Sequence, residues 1–193
     1  ADQLRPKHSR TLLLMGESHY RANRLLDAVD RLSESIGVDS GDSDAREWRA
    51  RAYRDQGQFR EALLDLDQAL RIRGDEARLF YQRGEIYRHW AKNRDALKEY
   101  KKGIKVDRKY APAHCRSAEI YVDGGKLKRA WKFAQRCVKL DKTNGPGQLA
   151  MAMLYKDRGN YEKARDHLKQ SVKVQGDHYE RAQDELETLN RFK

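Results

Sequence analysis

Proline is scarce, at three residues in 193, and helix-forming residues fill the space between, which favours an all-helical chain. Long apolar runs are missing too. None approaches the roughly 18 residues that a membrane-crossing helix needs. The longest early apolar stretch, Leu12 to Met15, is too short for the core of a signal peptide. Cysteine is limited to Cys115 and Cys137, too few to staple a domain and without CxxC spacing. They are expected as two reduced, packed thiols, since free cysteine is usually buried. The six histidines, His8, His19, His89, His114, His167 and His178, form neither HExxH nor a spaced Cys/His set of zinc type. A P-loop, GxGxxG and GxSxG are all absent. His114 adjoins Cys115, but neighbouring helical residues point in different directions, so the pair reads as a polar helix surface. The expectation is a protein that is not an enzyme and needs no cofactor or metal.

Charge and periodicity are what the chain has in quantity. Charged residues make up 37%, against about 25% in an average globule, and thin repeat arrays tolerate such a surface. Alanine recurs at Ala28, Ala62, Ala96, Ala130 and Ala164 with a constant spacing of 34. Other columns keep step with it. Small residues stand at Gly16, Ala50, Gly84, Ala118 and Ala152. Rings follow at His19, Tyr53, Tyr87, Tyr121 and Tyr155. Mostly small residues come next, at Asn23, Gly57, Ala91, Gly125 and Gly159. Aliphatic residues close each period at Ile36, Leu70, Ile104, Val138 and Val172, then at Val38, Ile72, Val106, Leu140 and Val174.

Small side chains at two columns allow two helices to cross at 8–10 Å. Glycine after the first helix permits positive φ. The apolar columns form one stripe per helix, and stacked neighbours are needed to bury it. The units expected are 9–42, 43–76, 77–110, 111–144 and 145–178, after an N-terminal extension at 1–8. Residues 179–193 read as a capping helix. Its Leu186 and Leu189 cover the stack, with Glu180, Asp184, Glu185 and Glu187 outside. Pro112 and Pro146 fall near helix starts, where a missing N–H costs little.

These columns resemble the tetratricopeptide repeat (TPR) family, whose period is 34, over about 170 residues by that repeat count. The family's closing proline is absent, and the first unit carries His19 and Asn23 in place of Tyr and Gly. The resemblance implies a right-handed superhelical solenoid of antiparallel hairpins, a scaffold or adaptor binding a partner protein or peptide on the concave face. Carried over position by position, that face holds Tyr20, Trp48, Arg51, Arg54, Arg78, Tyr81, Gln82, Arg88 and Arg116, with Cys115, Glu119, Val122, Asp123, Leu149, Met153, Lys156 and Asp157 further along. Arginine and aromatic side chains are frequent interface anchors. The arginines can fork onto carboxylates of an acidic partner, or pair with Glu47, Asp55, Glu85 and Glu119. Family members that clamp a C-terminal carboxylate use Lys and Asn where this chain has Glu47, Arg51, Gln82, Pro112 and Arg116. Only Arg116 fits, so no such clamp is expected.

The formal net charge is +11. Residues 92–142 hold 16 Lys and Arg against 6 Asp and Glu, and so carry +10 of it. A basic patch is expected on second helices, from Lys98, Lys101, Lys102, Lys105, Lys128, Arg129, Lys132, Arg136 and Lys139. Its alternative readings are a solvated face and a surface for nucleic acid or anionic lipid. Trp131 is the one ring expected there for base stacking. Homo-oligomers formed by end-on stacking, the acidic final helix against a basic unit, are a third expectation.

Overall fold

The two small columns decide how each hairpin closes. In a computed structural model, which describes residues 5–176 and 178–191 (side chains from residue 8), Ala28, Ala62, Ala96, Ala130 and Ala164 are all fully buried, at 0% exposure. Gly16 faces Leu32 so closely that an added Cβ would lie 2.5 Å from Leu32 Cγ, and at Gly84 it would lie 2.2 Å from the ring of Tyr100. Helices that approach this far leave no room for a side chain at the crossing.

Among the described residues every regular element is helical, and there are eleven. The chain divides into two compact units, Ala1–Val106 and Asp107–Lys193. The first contains α1 (Arg5–Arg21), α2 (Leu25–Val38), α3 (Ser43–Asp55), α4 (Phe59–Arg73), α5 (Ala77–His89) and α6 (Asn93–Val106). They pack as three consecutive hairpins, with α1, α3 and α5 forming one layer. Helix α1 begins inside the stretch 1–8 expected as an extension. The second unit contains α7 (Ala111–Asp123), α8 (Leu127–Leu140), α9 (Gly145–Asp157), α10 (Tyr161–Ser171) and α11 (Tyr179–Arg191). It forms two hairpins with α11 packed on α10.

Every first helix stops in the same way. Asn23, Gly57, Ala91, Gly125 and Gly159 have φ of 58, 77, 58, 67 and 73°. The next N–H reaches back to the carbonyl of the ring column, as in Gln58 to Tyr53 and Lys126 to Tyr121, both 2.8 Å. This is the Schellman pattern, which satisfies carbonyls left over at a helix end. Starts are capped by Asp42 on α3, Asn144 on α9 and Asn160 on α10, each accepting a backbone N–H. Pro112 and Pro146 occupy the first turns of α7 and α9.

The apolar stripe has a member that the pattern reading passed over. Four residues after each alanine stand Leu32, Leu66, Tyr100, Ala134 and Leu168, none more than 1% exposed. At the other edge of the stripe, Ile72 and Val106 are 44% and 45% exposed, against expectation. The second and third hairpins also carry an internal ion pair. Arg49 holds buried Asp65 with two bonds of 2.8 and 2.7 Å, and Arg83 holds buried Glu99 at 2.9 Å. A buried carboxylate is tolerated only when paired in this manner.

Cys115 and Cys137 are not free thiols. They form a disulfide between α7 and α8, with Cα atoms 4.9 Å apart. Cys115 is therefore inside the fourth hairpin, 1% exposed, and not on a binding face. On α11, Ala182 and Leu189 are buried with Leu186 packed beside them, while Glu180, Asp184 and Glu187 are exposed.

Candidate functional site

In the first unit, the layer of α1, α3 and α5 gathers most of the expected site residues around two buried carboxylates. Glu47 on α3 is 3% exposed and Glu85 on α5 is 5% exposed. Glu47 Oε1 accepts from Arg51 at 2.9 Å, Arg78 at 2.7 Å and Gln82 at 2.5 Å. Glu85 accepts from Arg88 at 3.2 Å and from the hydroxyl of Tyr100 on α6. Desolvation of a carboxylate is costly unless cations and donors surround it. Here they gather on Glu47 Oε1 and on Glu85, while Glu47 Oε2 makes no hydrogen bond among the described residues and lies 4.0 Å from Arg73 Nη1. Gln82 is itself buried at 7%, so it positions Glu47 and offers little surface to a partner.

Trp48 stands at the end of this array. The guanidinium of Arg51 lies 4.3 Å from its ring centre and that of Arg21 lies 5.6 Å away. Tyr20 packs 5.5 Å off, tilted. Arginine over indole is the most favourable cation–π arrangement. Beside it, Tyr20 Oη donates to Asp55 at 2.7 Å and Arg54 Nε donates to the same carboxylate at 2.7 Å. Burial raises the Asp55 carboxyl, but hydrogen bonds from Arg54 and Tyr20 outweigh it and hold its pKa below the usual value. Burial, then the bond to Asp55, pushes the Tyr20 phenol up. His89 is lowered by burial and by the positive charges of Arg54 and Arg88. Tyr81 packs against Tyr100, tilted, with ring centres 5.7 Å apart.

Of the two readings left open for the arginines, internal pairing is present: Arg51 and Arg78 with Glu47, Arg54 with Asp55, Arg88 with Glu85. In the second unit, Arg116 pairs with Glu119 at 2.9 Å. A guanidinium has five N–H donors in a planar fork, so pairing fixes its direction without exhausting it. His114 is buried against Phe133, with its Nε2 3.1 Å from the carbonyl oxygen of Arg108. The sulfur of Cys115 is bonded to Cys137, so the adjacent pair offers no nucleophile.

The basic residues divide between the two units. On α6, Lys98, Lys101, Lys102 and Lys105 are exposed. Lys98 pairs with Asp95 and Lys102 with Glu99. On α8, Lys128, Arg129, Lys132 and Lys139 are exposed, and half-buried Arg136 donates to the Arg108 carbonyl at 3.5 Å. Trp131 is not open for stacking. Tyr155 meets it edge-on at 5.3 Å and the Arg158 guanidinium covers it at 3.6 Å.

Paired helices closing on buried alanines, with charged side chains arrayed on first helices, define a helical-repeat scaffold. Profiles described as TPR repeat and Tetratricopeptide repeat match residues 50–88, 77–110, 111–144 and 149–182, together more than half of the chain. The chain belongs to the tetratricopeptide repeat family. Its fold is similar to that of PilF from Pseudomonas aeruginosa, at TM-score 0.78 and 15% identity over 89% of this chain and 78% of that one. It is also similar to TTC0263, a TPR protein from Thermus thermophilus, at TM-score 0.71 and 19% identity over 94% and 98%. YrrB, described as a TPR protein with an unusual peptide-binding site, matches at TM-score 0.59 and 19% identity over 86% of each chain. No curated protein matches in sequence. These similarities establish an interaction scaffold of TPR type.

Proposed function

We propose that the first-helix face of residues 1–106 binds a segment of a partner protein, with Trp48, Tyr20 and Tyr81 taking apolar side chains and Arg51, Arg54, Arg78 and Arg88 taking carboxylates. One observation carries this reading. Glu47 and Glu85 are buried in a surface layer where packing alone would favour apolar residues, and their bonds aim arginine forks in fixed directions. Preorganised donors bind with less loss of side-chain entropy than free ones. Arg116, fixed by Glu119 on α7, offers the same chemistry in the other unit. The protein would act as an adaptor in assembly of a complex.

A second reading rests on cations that have no ionic partner among the described residues. Lys101 and Lys105 on α6, and Lys128, Arg129, Lys132 and Lys139 on α8, suit nucleic acid or an anionic lipid surface. One experiment separates the two. Partners captured from source-cell extract by the intact chain are compared with those held by Arg54→Glu/Arg88→Glu and by Lys101→Glu/Lys132→Glu, with circular dichroism to confirm helicity. Loss only with the first pair supports the peptide face. Loss only with the second, together with oligonucleotide retention that falls steeply with salt, overturns it. Capture unaffected by either overturns both.

A further inference from the structure

The second unit contains a cavity of about 530 Å³ lined partly by residues expected further along the concave face, Val122, Asp123, Met153, Lys156 and Asp157, to which no ligand chemistry was assigned. Its floor is apolar, formed by Val122 at the end of α7, Leu127 at the start of α8 and Met153 on α9. Its rim is charged. Asp123 and Asp157 are the last residues of α7 and α9, so each carboxylate adds to the negative end of a helix dipole. Lys156, Arg181 and the exposed ring of Tyr161 complete the lining.

The cations at this rim are already neutralised. Arg181 Nη1 donates to Asp123 at 2.7 Å, and Lys156 Nζ donates to Glu185 at 2.6 Å. Arg181 and Glu185 lie one turn apart on α11, so that helix closes the cavity through two ion pairs to α7 and α9. Asp157 is exposed and has no ionic or hydrogen-bonding side-chain partner among the described residues. The balance at the rim therefore favours one more cation, placed beside an apolar floor. Arg181 shows what fits, since its guanidinium already sits against Asp123 there.

We propose that this cavity seats a bulky apolar side chain of a partner peptide followed by arginine or lysine, whose cation takes Asp157 and competes with Arg181 for Asp123. This rests on the reading that first-helix faces bind peptide segments, and adds a second site whose charge preference is opposite to that of residues 1–106. Two helix C-termini, an unpartnered carboxylate and an apolar floor converge at one place, and the requirement of a cation next to a side chain large enough to fill the floor follows from them.

Methionine provides the readout, because the chain has three. Met153 lines the cavity. Met151 is buried on α9 at 4% exposure, and Met15 lies on α1 in the other unit. The full-length chain, with ¹³C-labelled methionine methyls, is titrated with the blocked tetrapeptide acetyl-SFRS-amide and with its counterpart acetyl-SFES-amide. A saturable shift of the Met153 methyl is expected with the first peptide, with Met15 unmoved. The glutamate peptide should bind at least about three-fold more weakly, the scale of one exposed ion pair. Asp157→Asn should weaken the arginine peptide by a similar factor. Arg181→Ala, which removes the internal competitor, should strengthen it, and an unshifted Met151 signal shows that the hairpin is intact.

Equal binding of the two peptides, indifference to Asp157→Asn, a shift that also moves Met15, or no Met153 shift would each overturn the proposal. Its failure is separable from that of the peptide face. Tetrapeptide binding at Met153 with capture indifferent to Arg54→Glu/Arg88→Glu sinks only the latter. The reverse pattern sinks only the cavity.

Discussion

Ala91 holds a backbone conformation that three of its counterparts assign to glycine. Its φ of 58° matches Gly57, Gly125 and Gly159 in kind, and Asn23 shares the value. A β-carbon in the left-handed region costs roughly 1–2 kcal/mol, while glycine gives back roughly 0.4–1 kcal/mol through a freer unfolded chain. The first effect is larger. Ala91→Gly should therefore stabilise the chain by about 0.5–1 kcal/mol by this balance, seen as a higher urea midpoint with unchanged slope. Asn23→Gly should gain less, because asparagine tolerates this region. An unchanged or lower midpoint for Ala91→Gly would mean that α5 ends differently in solution. The column containing these residues was visible in the sequence, and positive φ was expected at its glycines, but Asn23 and Ala91 read only as small side chains. The constraint is on φ, and size follows from it, which is why Asn23 qualifies. The Leu32, Leu66, Tyr100, Ala134 and Leu168 column was equally open to the 34-residue count. Tyr100 and Ala134 hid it, since a ring and a methyl do not look equivalent until Gly84 is seen opposite Tyr100.

At the scale of the hairpin, the disulfide illustrates what spacing alone does not show. Cys137 belongs to another column of small residues, Ser35, Ala69, Gly103, Cys137 and Ser171, all buried. Hydroxyls in this column bond across the hairpin. Ser35 donates to the Ser9 carbonyl and Ser171 to the Gly145 carbonyl, both at 2.9 Å. That is where first and second helices come closest. A separation of 22 residues says nothing about a Cα distance until both helices are placed, so position-by-position transfer put Cys115 on the binding face. The cross-link closes a loop of that length, for which chain-entropy arguments give about 3 kcal/mol. Reduction, or Cys137→Ala, which restores the residue found at Ala69, should lower stability by an amount of that order. Urea unfolding with and without reductant measures it. Identical midpoints, with two thiols titrating in the unreduced protein, would show that the bond does not form. Most ion pairs of the candidate site were legible as possibilities, because Arg51, Arg88 and Arg116 lie three or four residues from their acids and Arg54 adjoins its own, whereas Arg78 reaches Glu47 from the next hairpin. Which possibility prevails depends on the burial of Glu47 and Glu85, and that is a property of the stacked layer.

Across the whole molecule, protons and net charge act in the same direction. His114 and His167 are both held below the ordinary histidine value by burial, and His89 by burial together with Arg54 and Arg88. The unfolded chain titrates near 6.5, so just below that pH it binds more protons than the folded chain. Stability must therefore rise with pH there. It is greatest above about 6.5, declines as pH falls through the unfolded value, and levels off below the depressed folded values. Asp55, lowered when folded, contributes only nearer pH 4, the ordinary carboxylate range, so it does not blur this window. Acidification also adds positive charge to a chain already at +11, most of it within 92–142, and self-repulsion falls on the same side. Salt separates the two causes. Screening over about 8–10 Å weakens repulsion between exposed cations but leaves desolvation of a buried imidazole in place. Urea midpoints should climb from pH 5 to pH 7 at both low and high salt, less steeply at high salt. His114→Gln with His167→Gln should flatten the residual slope in the unit formed by residues 107–193. A slope that vanishes entirely in high salt would assign the effect to net charge alone and remove the histidines from the account.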